Sequence, residues 1–291
     1  MQAQALTDRA GLGISLMLLA WLLFSVVDTS VKWLVLLGFP ATQLAFMRYF
    51  GHFLISLAKI SAVKDERRFA IAHPWLVTIR ALLLVSASTM NFYVLNFLPL
   101  MLTAAVMFSA PILVCFLSWP ILGERVGPWR IFAICLGFGG VLVVLRPFEA
   151  DFQWIALGTV YNATALAFFS VITRKLAGKE SVETQQFYMG LIGSVTLAPF
   201  AYMAWDNPGD SLTWTLFLAL GVWAWAGHDL LVRAHGMAPA NLLMPFTYSF
   251  MIYLTISSYL VFNTLPDKWT IVGSIIIVVS GLIIWWREKQ R

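Results

Sequence analysis

The sequence predicts an all-α membrane protein of ten transmembrane helices, built as two inverted five-helix repeats around a central cavity. Of its 291 residues, 60% are hydrophobic and 11% are charged, whereas soluble proteins carry about 25% charged residues. Its apolar runs are about 20 residues long and apolar on every face, which is the length that crosses a bilayer. The third observation is an internal repeat, because features of the first half recur in the second.

The repeat has a spacing of 140 residues, at which Pro99 recurs as Pro239 and Trp129 as Trp269. An odd number of spans per copy would insert the second copy upside down. Inverted repeats are the layout of many secondary transporters, with the substrate site near the midplane of the bilayer. We therefore expect two repeats, 1–146 and 153–291, within one membrane domain.

The spans are bounded by turn residues and prolines. Pro40, Pro74, Pro99, Pro128 and Pro239 each open an apolar run, a position where the missing backbone N–H costs nothing. The first run is too long for a signal peptide and is expected to be an uncleaved helix. The ten expected spans are 11–36, 40–60, 74–96, 99–122, 128–146, 153–174, 183–204, 212–234, 239–262 and 269–286.

Loop charges predict the orientation. With the N-terminus inside, fourteen Lys and Arg residues fall on the cytoplasmic side, whereas the opposite side holds only Lys32, Arg146 and Lys268. This bias predicts a multi-pass protein of the cell inner membrane with both termini in the cytoplasm. Because the basic residues lie in short loops, no nucleic-acid partner is expected. No cofactor or metal is expected either, since Cys115 and Cys135 lie inside spans without metal-type spacing.

Several stretches carry a family resemblance. They are Leu44 to Phe50, Leu98-Pro99-Leu100, Ser109-Ala110-Pro111, Leu122 to Arg125, Met237 to Ala240, Phe246-Thr247-Tyr248 and Leu265-Pro266-Asp267. In this order and spacing they resemble the EamA-type branch of the drug/metabolite transporter superfamily. The second copy departs from the pattern at Asn263-Thr264, where Gly-Glu is usual. The resemblance implies a ten-helix bundle that moves small metabolites, commonly outward.

These observations lead us to expect a secondary transporter that exports neutral or aromatic amino acids by alternating access. The choice of substrate follows from the expectation that no acidic residue lies near the midplane to bind an organic cation. Export of other metabolites or of drugs is the alternative, and an intramembrane enzyme is a remote one. No catalytic residue is assigned, since the adjacent His228 and Asp229 point about 100° apart on a helix. The expected partners are a small-molecule substrate and the lipid bilayer, and the expected state is a monomer.

Helical depth, at about 1.5 Å per residue, selects the candidates for substrate binding near the midplane. They are mostly aromatic or small polar residues, as suits a pocket for small organic ligands. The nine candidates are Trp21, His52, Ser86, Ser109, Tyr161, Asn162, Trp223, Trp225 and Tyr248.

A second group of residues is expected to be structural or to act in gating. Pro111 and Pro245 lie inside corresponding spans and are expected to kink them. Arg48 is deep enough either to bind a substrate carboxylate or to tie helices together. The pairs Asp28 and Lys32, and Asp229 and Arg233, are four residues apart and are each expected to form a local ion pair near a membrane surface.

Overall fold

A computed structural model describes residues 10–62, 69–122, 128–149, 152–176, 179–238 and 243–289, and these ranges form helices and connections without a β-strand. Two short 3₁₀ segments, Trp154–Ala156 and Met244–Tyr248, precede the α-helices that begin at Leu157 and Ser249. The α-helices are α1 (Ala10–Leu36), α2 (Ala41–Ser61), α3 (Pro74–Val94), α4 (Leu100–Met107), α5 (Ala110–Leu122), α6 (Pro128–Leu145), α7 (Leu157–Leu176), α8 (Val182–Met203), α9 (Ser211–Met237), α10 (Ser249–Phe262) and α11 (Lys268–Lys289).

The predicted all-α membrane class is confirmed. Within the described ranges, seven helical stretches are long and apolar enough to cross a membrane, and Ile131–Leu145 is a shorter apolar helix. The helices α2 and α8 are long enough, at 21 and 22 residues, but less apolar. Their polar side chains, such as Gln43, His52 and Gln185, are buried inside the bundle rather than exposed to lipid. The count of ten crossings and the two-repeat division stay predictions.

Local sequence explains where the helices begin. Pro40 and Pro99 immediately precede α2 and α4, and Pro74 opens α3, as the sequence predicts; Pro239 lies outside the described residues. The Asp210 side chain caps α9, accepting hydrogen bonds from the Thr213 backbone N–H at 2.9 Å and the Thr213 hydroxyl at 2.7 Å. Because these bonds favour the charged carboxylate, they hold the pKa of Asp210 below its usual value.

The main helix contacts join the two halves of the chain. Helix α2 packs on α8, α6 on α11, α1 on α9, and α3 on α7. Arg146 and Asp267 form an ion pair of 2.9 Å at one end of the bundle, which we call the Arg146 end. The opposite end carries Lys59, Asp229 and Arg233 and is called the Lys59 end. The two halves are therefore interleaved rather than placed side by side.

Two prolines lie at interruptions of the helical path. The expected single span 99–122 is split into α4 and α5 by a turn at Phe108 and Ser109, just before Pro111. The ninth expected span, 239–262, begins in the described part as the 3₁₀ segment around Pro245. Proline cannot donate to the carbonyl four residues earlier, so Pro111 makes no helical bond to Met107 across this turn. The predicted kinks thus coincide with breaks in regular α-helical geometry: a turn before Pro111 and a 3₁₀ segment around Pro245.

Helices α2 and α9 meet backbone to backbone. A Cβ added at Gly221 would lie 2.6 Å from the Cα of Gly51, and one added at Gly51 would lie 2.9 Å from the Cα of Gly221. Small residues at a membrane helix crossing let the backbones approach and gain van der Waals contact. On its other side, α2 receives Gly190 of α8, where a Cβ would lie 2.7 Å from the Cα of Phe53.

We expect Gly221→Ala to destabilise the protein by about 1–3 kcal/mol, because the new methyl would meet backbone atoms that cannot rotate away. Thermal unfolding of the purified protein in detergent measures the loss.

Gly139→Ala is the matched control. An added Cβ at Gly139 meets nothing within 4 Å, and alanine is the better helix former. Its melting temperature should equal or exceed that of the wild type, and an equal loss in both variants would contradict the proposed close crossing.

Candidate binding cavity

One cavity of about 600 Å³ lies among α1, α2, α3, α5, α7, α9, α10 and α11. This volume falls within the range of about 300–1,000 Å³ that is typical of pockets for small organic ligands. Most of its lining is apolar or aromatic. The aromatic residues of the lining are Trp21, Phe24, Phe92, Phe108, Phe169, Tyr248, Phe250 and Trp285.

Five side chains form a polar cluster in this lining: Asp28, Arg48, Ser88, Asn91 and Asn162. The Asn91 amide donates to the Asp28 carboxylate at 3.4 Å, and the Asn162 amide donates to the Asn91 carbonyl oxygen at 3.2 Å. The Arg48 guanidinium donates to the Ser88 hydroxyl. An acid and a base therefore lie in one cavity, and each is bonded to neutral partners.

This cluster corrects one expectation. Asp28 and Lys32 do not form the expected ion pair, since the Lys32 ammonium donates instead to the backbone carbonyls of Leu95 and Leu98. Asp28 instead lines the cavity, and the expectation that no acidic residue lies near the midplane stays a prediction. Asp28 is eight residues from the end of α1 and Arg48 seven residues into α2. Both are therefore about 11–12 Å from the same end of the bundle.

Three of the nine candidates chosen by depth line the cavity, namely Trp21, Asn162 and Tyr248. Gly281 makes room for Tyr248, because a Cβ there would come within 1.9 Å of the tyrosine oxygen. The structural candidates Asp28, Arg48, Pro111 and Pro245 line it as well.

The other six candidates lie elsewhere, because depth along a helix does not determine which way a side chain points. Tyr161 is 45% exposed on the outside of the bundle. Ser86 faces a shallow groove with Thr42 and Phe200. The Trp225 ring lies 4.1 Å from the Lys59 ammonium. The remaining three are the buried Ser109 and His52 and the partly buried Trp223.

The second expected ion pair is confirmed. The Arg233 guanidinium lies 2.6 Å from the Asp229 carboxylate, and the Lys59 ammonium lies 3.3 Å from the other oxygen of that carboxylate. These three side chains are partly exposed and lie outside the cavity lining, so they connect α2 and α9 at the Lys59 end.

Ser88 and Asn91 belong to the cavity but were not among the candidates. The signal that could have found them is spacing, because the lining residues of α3 are Leu84, Ala87, Ser88, Asn91 and Phe92, a stripe built on helical intervals of three and four. The lining residues Met17, Trp21, Phe24 and Asp28 form the same kind of stripe on α1.

Some cavity residues hold buried polar atoms without a hydrogen-bond partner: Nε1 of Trp21, Nε of Arg48 and Nε2 of His228. The His228 ring lies 5.0 Å from Phe24 and 6.0 Å from His52, between ring centroids. Among the residues that the structure describes, no group of three or more His, Cys, Asp or Glu side chains could hold a metal ion.

Known proteins are similar to this chain in sequence or in fold. The chain is 27% identical to an S-adenosylmethionine uptake transporter of Rickettsia prowazekii, over 94% of this chain and 93% of the relative. It is 27% identical to a riboflavin transporter of Rhizobium johnstonii, over 98% and 94% of the two chains. It is 25% identical to the pseudopaline exporter CntI of Pseudomonas aeruginosa, over 95% and 97%.

One crystal structure matches with a TM-score of 0.64 at 17% identity, covering 97% of this chain and 98% of that one, so the whole fold has a solved counterpart. The family model of the EamA-like transporters matches residues 11–146. This match confirms, for the first half of the chain, the resemblance inferred from the motifs, and the apolar helices are those of a multi-pass membrane protein.

Proposed function

We propose that this transporter moves small zwitterionic metabolites of the amino-acid type by alternating access. The observation that carries the proposal is the presence of Asp28 and Arg48 in one otherwise apolar cavity, each bonded to neutral groups. A guanidinium binds a carboxylate through charge-assisted hydrogen bonds, and a carboxylate binds an ammonium group. The two charges of an amino-acid head group match this pair.

The chemistry of the relatives' substrates supports this choice. S-adenosylmethionine carries an amino-acid head group, whereas riboflavin carries neither a carboxylate nor an ammonium group. The polar cluster therefore suits a substrate like that of the Rickettsia relative. Export of neutral or aromatic amino acids, expected from the sequence, is a narrower form of the same proposal. The relatives' names include both uptake and export, so the proposal leaves the direction open.

Alternating access is supported by the way the halves pack. If the first five proposed crossings are exchanged for the second five, α1 corresponds to α7 and α3 corresponds to α9, so the α1–α9 contact becomes the α7–α3 contact. The α2–α8 and α6–α11 contacts each map onto themselves. Such an exchange is expected of two repeats related by a two-fold axis, as inverted repeats are. We propose that the chain has this symmetry, with the Lys59 end in the cytoplasm as the loop charges predict.

The proposed state of the bundle is open to the Lys59 end. The cavity lining extends there to the exposed residues Arg174 and His235. At the Arg146 end, Lys32 bonds to two carbonyls after α3 and thereby ties α1 across the cavity. The Gln43 side chain adds a second tie by exchanging hydrogen bonds of 2.7 and 3.1 Å with the backbone of Asp206.

The head-group site can be tested by charge removal. Asp28→Asn and Arg48→Gln should each raise KM for a transported zwitterion about 10- to 100-fold, since each removes a charged hydrogen-bond partner. Initial rates of uptake into proteoliposomes, across a panel of labelled amino acids and S-adenosylmethionine, measure this effect. Lys175→Gln, at an exposed position of α7 outside the cavity lining, is the control and should leave the rates near wild type. Wild-type rates no higher than those of empty liposomes across the panel would refute the proposed function.

The breaks at Pro111 and Pro245 are proposed to be bending points between the two access states. Pro111→Ala and Pro245→Ala restore a backbone donor and should stiffen α5 and the 3₁₀ segment that precedes α10. We expect a severalfold lower turnover rate with little change in KM. Pro199→Ala, at an exposed proline inside α8, is the matched control. Similar losses in all three variants would show that the two breaks have no special part in transport.

A further inference from the structure

We propose that Trp21 and His228 form a second polar subsite, which hydrogen-bonds a nitrogen heterocycle at the far end of the substrate. This inference rests on the proposed function and narrows its substrate class. The substrate would carry an amino-acid head group at one end and a planar, hydrogen-bonding ring at the other.

The position of Trp21 sets the distance between the two subsites. Trp21 and Asp28 both line the cavity from α1, and seven residues of α-helix place them on one face about 10 Å apart. The Phe24 ring lies between Trp21 and His228, with ring centroids 5.6 Å and 5.0 Å away. Trp21 and His228 therefore flank the same part of the wall, from α1 and α9.

Both rings leave a buried nitrogen without a partner, at Nε1 of Trp21 and Nε2 of His228. Buried polar groups are normally hydrogen-bonded, and a group left unpaired is costly. Ser56, Ser274, His52 and Arg80 also have unpartnered polar atoms, but they do not belong to the cavity lining, and Arg48 belongs to the polar cluster. The nitrogens of Trp21 and His228 are therefore the ring nitrogens of the lining that a bound molecule satisfies once the two rings turn toward it.

The chemistry of the two nitrogens restricts the ligand. The indole nitrogen of Trp21 only donates, whereas the imidazole nitrogen of His228 donates or accepts according to its tautomer. The neighbouring rings give a planar ligand a stacking surface, since Trp21 lies 5.4 Å from Phe250 and Phe108 lies 5.3 Å from Tyr248. A hydrocarbon side chain would leave both nitrogens unpaired, whereas a heterocycle with ring nitrogens and an amino group pairs them.

The test compares a long and a short substrate with the same head group. S-adenosylmethionine reaches both subsites, whereas L-methionine reaches only the polar cluster. Trp21→Phe keeps the ring and removes the N–H, and His228→Phe removes both imidazole nitrogens. In proteoliposomes, each variant should raise KM for S-adenosylmethionine about tenfold and raise KM for methionine by a clearly smaller factor. Trp33→Phe is the matched control, because Trp33 lies on α1 and is 41% exposed.

Binding of adenosine, which lacks the head group, separates this inference from the proposed function. Adenosine should raise the melting temperature of the detergent-purified wild type and of Asp28→Asn, but not that of Trp21→Phe. If the wild type transports methionine but neither binds adenosine nor transports S-adenosylmethionine, the second subsite is refuted while the proposed function stands. Equal KM changes for both substrates in Trp21→Phe would also refute it, since they would indicate a general packing effect.

Discussion

The site depends on one constraint. Asp28 and Arg48 carry opposite charges inside the bundle and do not pair directly with each other. Charged side chains are costly within a membrane and persist where other protein groups solvate them. Here Asn91 bonds to the Asp28 carboxylate, and Ser88 accepts from Arg48. Asn162 continues the chain of bonds to α7. Four helices from both halves of the protein must therefore come together for either charge to be tolerated.

The close approach of α2 to its neighbours makes this arrangement feasible. Gly51 of α2 lies against Gly221 of α9, and Gly190 of α8 lies against Phe53. With its backbone held on two sides, α2 carries Arg48 into the cavity and buries Tyr49, whose hydroxyl lies 3.0 Å from that of Ser88. The polar side chains of α2, such as Gln43 and His52, are thus buried against other helices, because polar side chains favour the protein interior over lipid.

Much of the fold could be predicted from the sequence, but less of the site. Apolar runs and prolines such as Pro74 and Pro99 located the helices, since these signals are local. The site required the direction of each side chain around its helix. Tyr161 and Asn162 are neighbours on α7 and therefore lie at nearly the same depth, yet Asn162 lines the cavity and Tyr161 is exposed. From the sequence, Asp28 was expected to pair with Lys32 because the two residues are four positions apart. In the structure, the hydrogen-bond partner of Asp28 is Asn91, which is 63 residues away.

The sequence by itself determined the membrane class, the helix starts, the family resemblance and the local pair of Asp229 and Arg233. Each of these depends on composition or on residues a few positions apart. Only the tertiary structure decided that Asp28 and Arg48 share one cavity, that Lys32 reaches the carbonyls beyond α3, and that Trp21 and His228 meet across Phe24. These contacts join helices that are distant in the chain, and their geometry follows from how the helices rotate and pack against each other.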